Sequence, residues 1–279
     1  MIMLHIVSDK TADKDRLKGE NIFHMIAKID MKLDAATDDI SYQMASTFHG
    51  ALMDLLPDDY ATELHISKRH PYTQHIERQG KEWHWIITAL NEYTACHMLQ
   101  DVLMQLDEFT IKKHCLIIHV LEKSYQELSD KDLADVFYHK EPSRYITVQF
   151  VTPTAFKQNG RYVNYPDLRL MFSSIMNKYD ASNPDEQMYD EDTLDQIIDR
   201  VMLNRYDLRS TFFSMEGVRI PAFIGTITLK MTGTKTMSNF ANMLFEFGEY
   251  SGIGIKTTLG MGAIKILQEG KKENARQTN

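Results

Sequence analysis

The order of strand and helix patterns along the chain restricts its fold more than any single motif does. In the first half, alternating apolar and polar residues predict four strands, at 22–32, 71–77, 82–90 and 113–123. Apolar residues three or four positions apart predict a helix over 38–56, which Pro57 ends, and another over 93–106. The resulting order, β-α-β-β-α-β, is that of a ferredoxin-like domain.

The second half repeats this order in part. Strands are predicted at 144–156, 220–233 and 260–270, and helices at 166–180 and 235–250. We therefore predict an α+β protein with two tandem ferredoxin-like (βαββαβ) domains. The predicted parts are an extension over 1–21, an N-terminal domain over 22–138, a C-terminal domain over 144–268 and a disordered tail over 269–279.

Cysteine content and charge limit the classes of function. Of the 279 residues only Cys96 and Cys115 are cysteines, which predicts no disulfide framework and fits a reducing cytoplasm. The sequence contains no apolar run of membrane-spanning length and does not begin like a signal peptide, so no membrane partner is expected.

The net charge of −8 argues against nucleic acid as a partner, but the charge is unevenly distributed. Residues 181–199 hold seven acids and no Lys or Arg, whereas 200–279 hold eleven basic and six acidic residues. This asymmetry fits either a basic binding face or an ordinary solvated surface.

A glycine-rich segment near the end of the chain is the most unusual local feature. Its glycines alternate with apolar residues and are Gly252, Gly254, Gly260 and Gly262. A P-loop is excluded because five residues separate Gly254 from Gly260 and Met261 occupies the lysine position. A dinucleotide fingerprint is excluded because position 257 is Thr, and because the segment leaves a predicted helix and enters a predicted strand.

Two interpretations of this glycine-rich segment remain open from the residues alone. In one, it forms a hairpin-like loop with Lys256, Thr257 and Thr258 at its tip, and its unshielded amides let a phosphate backbone come close. In the other, the glycines only allow the loop to pack flat against the sheet of the second domain.

The spacing Gly254-x5-Gly260-x-Gly262, at the end of a predicted ferredoxin-like domain, resembles the signature loop of the CRISPR repeat-RNA-processing endoribonucleases. These enzymes belong to the repeat-associated superfamily of RNA-binding proteins. Three further segments resemble the family in the same order, 48–74, 152–179 and 219–233, so that the resemblance covers about 22–268. Residues 247–262 look closest to members that accompany type III interference complexes.

This resemblance implies an activity and its partners. It implies binding of the precursor CRISPR RNA and one cut in each repeat, without metal or other cofactor. A ribose 2′-hydroxyl would attack the neighbouring phosphate and leave a 2′,3′-cyclic phosphate and a 5′-hydroxyl. The product would pass to an effector complex, with the protein acting as a monomer or homodimer. The implied RNA-binding residues are Arg69, Gly252, Gly254, Lys256, Thr257, Thr258, Gly260 and Gly262.

Histidines are the candidates for proton transfer, because the imidazole pKa lies near neutrality. His65 follows the first predicted helix, where the resemblance places the catalytic loop and its histidine, and Lys68 follows as a cationic helper. His49, inside the first helix, is the second candidate, although a surface histidine would fit equally well there. Some family members carry a tyrosine on this helix, but the nearest matching position here is Met53.

Other readings of the sequence compete with this one. A non-cleaving RNA-binding scaffold of the same superfamily would keep the glycine loop but lack the catalytic acid. A metabolic enzyme with duplicated ferredoxin-like domains would bind a small molecule and no RNA.

The spacing of His65, His70 and His75 does not place them together on one face of a helix or of a strand, so no metal site is predicted. Trp83 and Trp85 share one strand face, which favours core packing over base stacking.

Overall fold

The computed structural model describes residues 25–34, 40–67, 70–183, 187–215 and 217–267. These residues form two antiparallel β-sheets with helices packed against them, and one short two-stranded ribbon. The predicted extension 1–21 and tail 269–279 lie outside the described residues, and so do Lys68 and Arg69.

The first sheet has the strand order of a ferredoxin-like domain. Its strands are β1 (Met25–Asp34), β2 (Tyr72–Gln79), β3 (Glu82–Ala89), β4 (Glu108–Ile111) and β5 (Leu116–Ser129). They lie in the order β2-β3-β1-β5-β4, so β1 is central and β4 is an added edge strand. Ile29 of β1 pairs with Ile87 of β3 on one side and with Tyr125 of β5 on the other.

Two helices connect β1 to β2, and a third connects β3 to β4. They are α1 (Ala45–Leu55), α2 (Asp58–Ile66) and the short α3 (Glu92–Thr94), which continues as a π-helical segment over Ala95–Gln100. The apolar face of α1 packs on the sheet, where the rings of Phe48 and Trp85 meet edge to face at 5.2 Å. Trp83 and Trp85 are both buried, which confirms the prediction that they pack in the core.

The second sheet repeats the arrangement. Helix α4 (Asp130–Tyr138) leads to strands β6 (Tyr145–Thr154), β9 (Val201–Met215), β10 (Val218–Met231) and β11 (Ile264–Leu267), in the order β11-β6-β10-β9. The ribbon of β7 (Phe156–Gln158) and β8 (Arg161–Val163) and helices α5 (Leu168–Ser182), α6 (Glu191–Ile198) and α7 (Lys235–Ser251) complete this half. The predicted fold class, with two tandem ferredoxin-like units, is confirmed. Strand β9 and helix α6 were not predicted.

Polar contacts and apolar packing fix the two halves against each other. The Gln43 side chain pairs with the edge of β9, donating to the Phe212 carbonyl at 2.8 Å and accepting from the Ser214 amide at 2.9 Å. Lys265 of β11 forms an ion pair of 2.6 Å with the buried carboxylate of Glu77 on β2. Burial alone would raise the pKa of Glu77, but His75 and Lys265 outweigh it and hold this pKa at about 2, so the carboxylate stays ionised. Phe213 packs into the core of the first half.

Among the described residues, no helix is both long enough and apolar enough to cross a membrane.

Candidate functional site

A cluster of imidazoles forms where α1, α2 and the start of β2 meet. His49 lies on α1 next to the buried Phe48 and is itself half-buried. Its Nδ1 lies 3.2 Å from the hydroxyl of Tyr72, the first residue of β2, and the two rings stack almost in parallel with centroids 6.2 Å apart. Burial, with smaller effects from His70 and His65, lowers the pKa of His49 to about 4.

His65 occupies a different kind of segment from the predicted one. The sequence interpretation placed it in a loop, whereas the structure places it in the last turn of α2. Helix α2 begins directly after Pro57, and two carboxylates in its first turn, Asp58 and Asp59, suit the positive end of the helix dipole. The His65 side chain is exposed, and it is close enough to His49 to affect that residue's pKa.

His70 and Tyr72 complete this group, which we call the histidine cluster (His49, His65, His70 and Tyr72). Nδ1 of His70 donates to the Leu64 carbonyl at 3.0 Å, which ties the exposed imidazole to the end of α2. Its ring centroid lies 6.0 Å from that of Tyr72.

Sequence reasoning missed Tyr72 as a site residue. It looked for a tyrosine on the first helix and found Met53, but the hydroxyl that contacts His49 comes from β2 instead. Burial raises the pKa of Tyr72, so the phenol stays protonated. The available signal was its place at the start of a predicted strand that follows the histidines.

The glycine loop (residues 252–262) connects α7 to β11, as predicted from its flanking patterns. Its glycines are required by close packing and by backbone conformation. A Cβ atom on Gly262, at φ +75°, would lie 2.0 Å from the carbonyl oxygen of Ile253. One on Gly260, at φ +98°, would lie 2.1 Å from Cβ of Ala45, the first residue of α1. The loop therefore packs against the first half of the chain as well as against its own.

Most amides of the glycine loop are not free, which corrects the expectation of an unshielded backbone. Those of Ile253, Gly254, Ile255, Met261 and Gly262 all donate to acceptors within the protein. Among the described residues, the three successive amides of Lys256, Thr257 and Thr258 have no acceptor. They lie at the exposed turn where the 3₁₀ segment Thr257–Leu259 begins, so any contact of a ligand with loop amides is restricted to this turn.

Gln74 connects the start of α1, the helix that carries His49, to the glycine loop. Its side chain is buried, and its Nε2 donates to the Ala45 carbonyl at 2.8 Å and to the Thr258 carbonyl at 3.0 Å. Its Oε1 accepts from Nε1 of Trp85 at 2.9 Å. One amide side chain on β2 thus joins the start of α1, the core and the turn of the glycine loop.

Replacing Gln74 by leucine should destabilise the protein and loosen the turn of the glycine loop. The substitution leaves the buried indole N–H of Trp85 without an acceptor and removes the side-chain donor to the carbonyls of Ala45 and Thr258, so we expect the free energy of unfolding to fall by about 3 kcal/mol. Urea denaturation measures this change. Gln100→Leu is the matched control, because the bond that Gln100 donates to the Tyr125 hydroxyl lies at an exposed position and its loss should cost well under about 1 kcal/mol. Equal losses in both variants would contradict the bridging role of Gln74.

A groove of about 500 Å³ lies between His70 of the histidine cluster and the glycine loop. Its wall is formed by His70 and Pro71 on one side, by Lys256–Leu259 on another, and by Asn177, Lys178 and Ser182 of α5. In the part of the chain that the structure describes, no three His, Cys, Asp or Glu side chains are grouped as a metal site would need.

Comparison with known proteins gives consistent matches. A family described as CRISPR-associated endoribonuclease Cas6 matches residues 148–264. The protein of that name from Streptococcus thermophilus is 35% identical over 229 residues, covering 82% of this chain and 93% of that protein. The one from Mycobacterium tuberculosis is 32% identical over 224 residues, covering 78% of this chain and 70% of that protein.

Solved structures support the same fold. A Cas6 product complex superposes with a TM-score of 0.70 at 18% identity, covering 88% of this chain and 100% of that chain. A Thermus thermophilus Cas6 superposes with a TM-score of 0.68 at 19% identity, covering 88% of this chain and 99% of that chain.

Proposed function

The chain belongs to the Cas6 family of CRISPR-associated endoribonucleases, and from this premise we propose that it cuts precursor CRISPR RNA within each repeat to release guide RNAs. The observation that carries the proposal is the groove between His70 of the histidine cluster and the turn of the glycine loop. Cleavage of RNA by internal attack requires proton-transfer groups and phosphate-binding groups along the same bound strand.

The proposed reaction needs no group beyond the RNA and the protein. The ribose 2′-hydroxyl attacks the adjacent phosphorus, so a P–O2′ bond forms and the P–O5′ bond breaks. The products are a 2′,3′-cyclic phosphate and a 5′-hydroxyl. A base must take the 2′-proton, an acid must protonate the leaving oxygen, and positive groups must stabilise the charged phosphorane.

We assign the base to His49. With a pKa of about 4, its imidazole is neutral at physiological pH and can accept a proton. If Nδ1–H donates to the Tyr72 oxygen, the lone pair of Nε2 is available to the 2′-hydroxyl. The bound phosphate then favours the imidazolium that forms, because an opposite charge nearby raises the pKa of the imidazole.

The acid that protonates the leaving oxygen and the positive groups that stabilise the phosphorane are assigned to neighbouring residues. His65 and His70 present exposed imidazoles beside His49 and are the candidates for the acid. We assign the binding of a phosphate to Lys256 and to the amides of residues 256–258, which have no acceptor among the described residues. Gly252, Gly254, Gly260 and Gly262 give the glycine loop its shape. Lys68 as a cationic helper and Arg69 as an RNA contact stay predictions from sequence.

The wider setting is part of the same proposal. We place the protein in the cytoplasm, as a monomer or homodimer with domains over 22–138 and 144–268, passing its product to a type III effector complex.

Incubation of the purified protein with its own repeat RNA in excess EDTA tests the function. We expect one cut per repeat, with a 2′,3′-cyclic phosphate and a 5′-hydroxyl at the ends. The matched control is the same RNA with a 2′-deoxyribose at the cut position, which should bind and stay intact. Wild-type protein that binds repeat RNA and never cuts it would favour the scaffold. Absence of binding at any salt concentration would favour the metabolic enzyme.

A further inference from the structure

We propose that Lys178, on the second-half helix α5, contacts a phosphate of the bound RNA and supplies its countercharge in the groove. This inference rests on the proposed function and adds a residue to it. Lys178 lines the groove between His70 and the glycine loop, so a strand that reaches from the histidine cluster to the loop passes its side chain.

The hydrogen bonds of Lys178 leave capacity for a ligand. Its ammonium group donates to the carbonyls of Ser251 at 3.1 Å and of Gly252 at 3.0 Å, where α7 ends and the glycine loop begins. An ammonium group has three N–H donors, so one is left for a group in the groove. The two carbonyls also fix the position of the charge relative to the loop.

The charge of Lys178 has no carboxylate partner among the described residues. Burial penalises the ammonium form and lowers the pKa of Lys178 to about 7. A partly buried cation without an anion is costly, and a neutral side chain of similar length would avoid that cost. A phosphodiester in the groove would supply the missing negative charge and favour the protonated lysine.

Proton uptake on RNA binding follows from this arrangement. Free protein loses the Lys178 proton as the pH rises through about 7, whereas the complex keeps it to a higher pH. RNA affinity should therefore fall as the pH rises from 6.5 to 8.5, by roughly tenfold. The other titratable groups that line the groove are His70 and Lys256, so the same pH series on His70→Gln separates its contribution.

The test measures binding of uncleavable repeat RNA, carrying a 2′-deoxyribose at the cut position, to Lys178→Met, Lys178→Gln and Lys178→Arg. We expect Lys178→Met and Lys178→Gln to bind about tenfold more weakly at pH 6.5 and to lose the part of the pH dependence that His70→Gln retains. The slope of log affinity against log salt concentration should fall by about 0.7–0.9, the value for one lost phosphate contact. Lys178→Arg stays charged and should keep its affinity at pH 8.5.

Control variants separate this role from a purely structural one. Lys178→Gln retains N–H donors for the two carbonyls, so it decides the question if Lys178→Met does not fold. Lys235→Met removes an exposed lysine that pairs with Glu141 on the surface, and should leave affinity and salt slope unchanged. The inference would be overturned if Lys178→Gln kept the RNA affinity, salt slope and pH dependence of the wild type. Cutting by the wild type would still uphold the proposed function in that case. A wild type that binds no repeat RNA would overturn both.

Discussion

Replacing His49 by alanine should slow the cutting of repeat RNA by about 10²–10⁴-fold, because the substitution removes the group that takes the 2′-proton. The affinity for uncleavable repeat RNA should stay within about threefold, since the charged groups that hold the phosphates are intact. Single-turnover cleavage and equilibrium binding, measured on the same preparation, give both values.

The pH dependence identifies His49 more specifically than the loss of rate does. His49 must be neutral to accept a proton, and its pKa in the free protein is about 4. The decline of kcat/KM toward low pH should therefore have its midpoint at about 4, because this parameter reports the free enzyme. The value of kcat reports the complex, in which the phosphate raises the imidazole pKa, so its decline should begin at a higher pH.

Two other histidines serve as comparisons for His49→Ala. His119→Ala is the matched control, because His119 is an exposed residue of β5 that pairs with Glu108 and lies beyond the central strand from β2. It should cut at the wild-type rate. His65→Ala tests the residue that the sequence favoured. If His49→Ala cuts at the wild-type rate and His65→Ala stops cutting, our assignment of the base to His49 is wrong.

The sequence favoured His65 whereas the structure favours His49, and helix α2 explains this difference. The sequence interpretation followed the family resemblance and expected a catalytic loop after the first helix, whereas the structure has a short helix there with two buried residues, Tyr60 and Leu64. The signals of a helix were present, with Pro57 before two acids and the two buried residues four positions apart. The contact between His49 and Tyr72 had no such local signal, since the two residues meet only when β2 takes its place in the sheet.

Strand β9 shows a second limit of sequence patterns. Predicted strands such as β1 and β6 have an alternating buried face, whereas β9 is an edge strand with most of its side chains exposed. It is held by pairing along its whole length with β10, so its strand conformation depends on a partner rather than on its own alternation. The topology could be recovered without it because the flanking elements already gave the order of a ferredoxin-like domain.

The glycine loop was predicted in position but not in its internal contacts. Its flanking patterns predicted a connection from a helix to a strand, and the structure confirms this. Which amides are free depends on acceptors far away in the sequence, such as the carbonyl of Ala155 and the hydroxyl of Ser174. The packing of Gly260 on Ala45 joins opposite halves of the chain, so no local pattern indicates it.

Replacing Gly262 by alanine should lower the free energy of unfolding by about 3 kcal/mol and weaken RNA binding. The new Cβ would lie 2.0 Å from the Ile253 carbonyl oxygen, and this atom belongs to the backbone and cannot rotate away. The Ile253 amide also donates to the Gly262 carbonyl at 2.7 Å, so relieving the contact breaks the pairing that closes the glycine loop. Urea denaturation and binding of uncleavable RNA measure the two effects.

Gly160→Ala is the control that separates backbone strain from close packing. Gly160 has a similar φ of +79°, but a new Cβ there would have nothing within 4 Å. It should cost only the strain of the left-handed backbone, about 1–2 kcal/mol. The difference between the two variants then measures close packing alone. If Gly262→Ala loses no more stability than Gly160→Ala and yet binds RNA poorly, the glycine is required by the approach of the RNA. If it loses neither stability nor affinity, neither interpretation of the loop explains why position 262 is glycine.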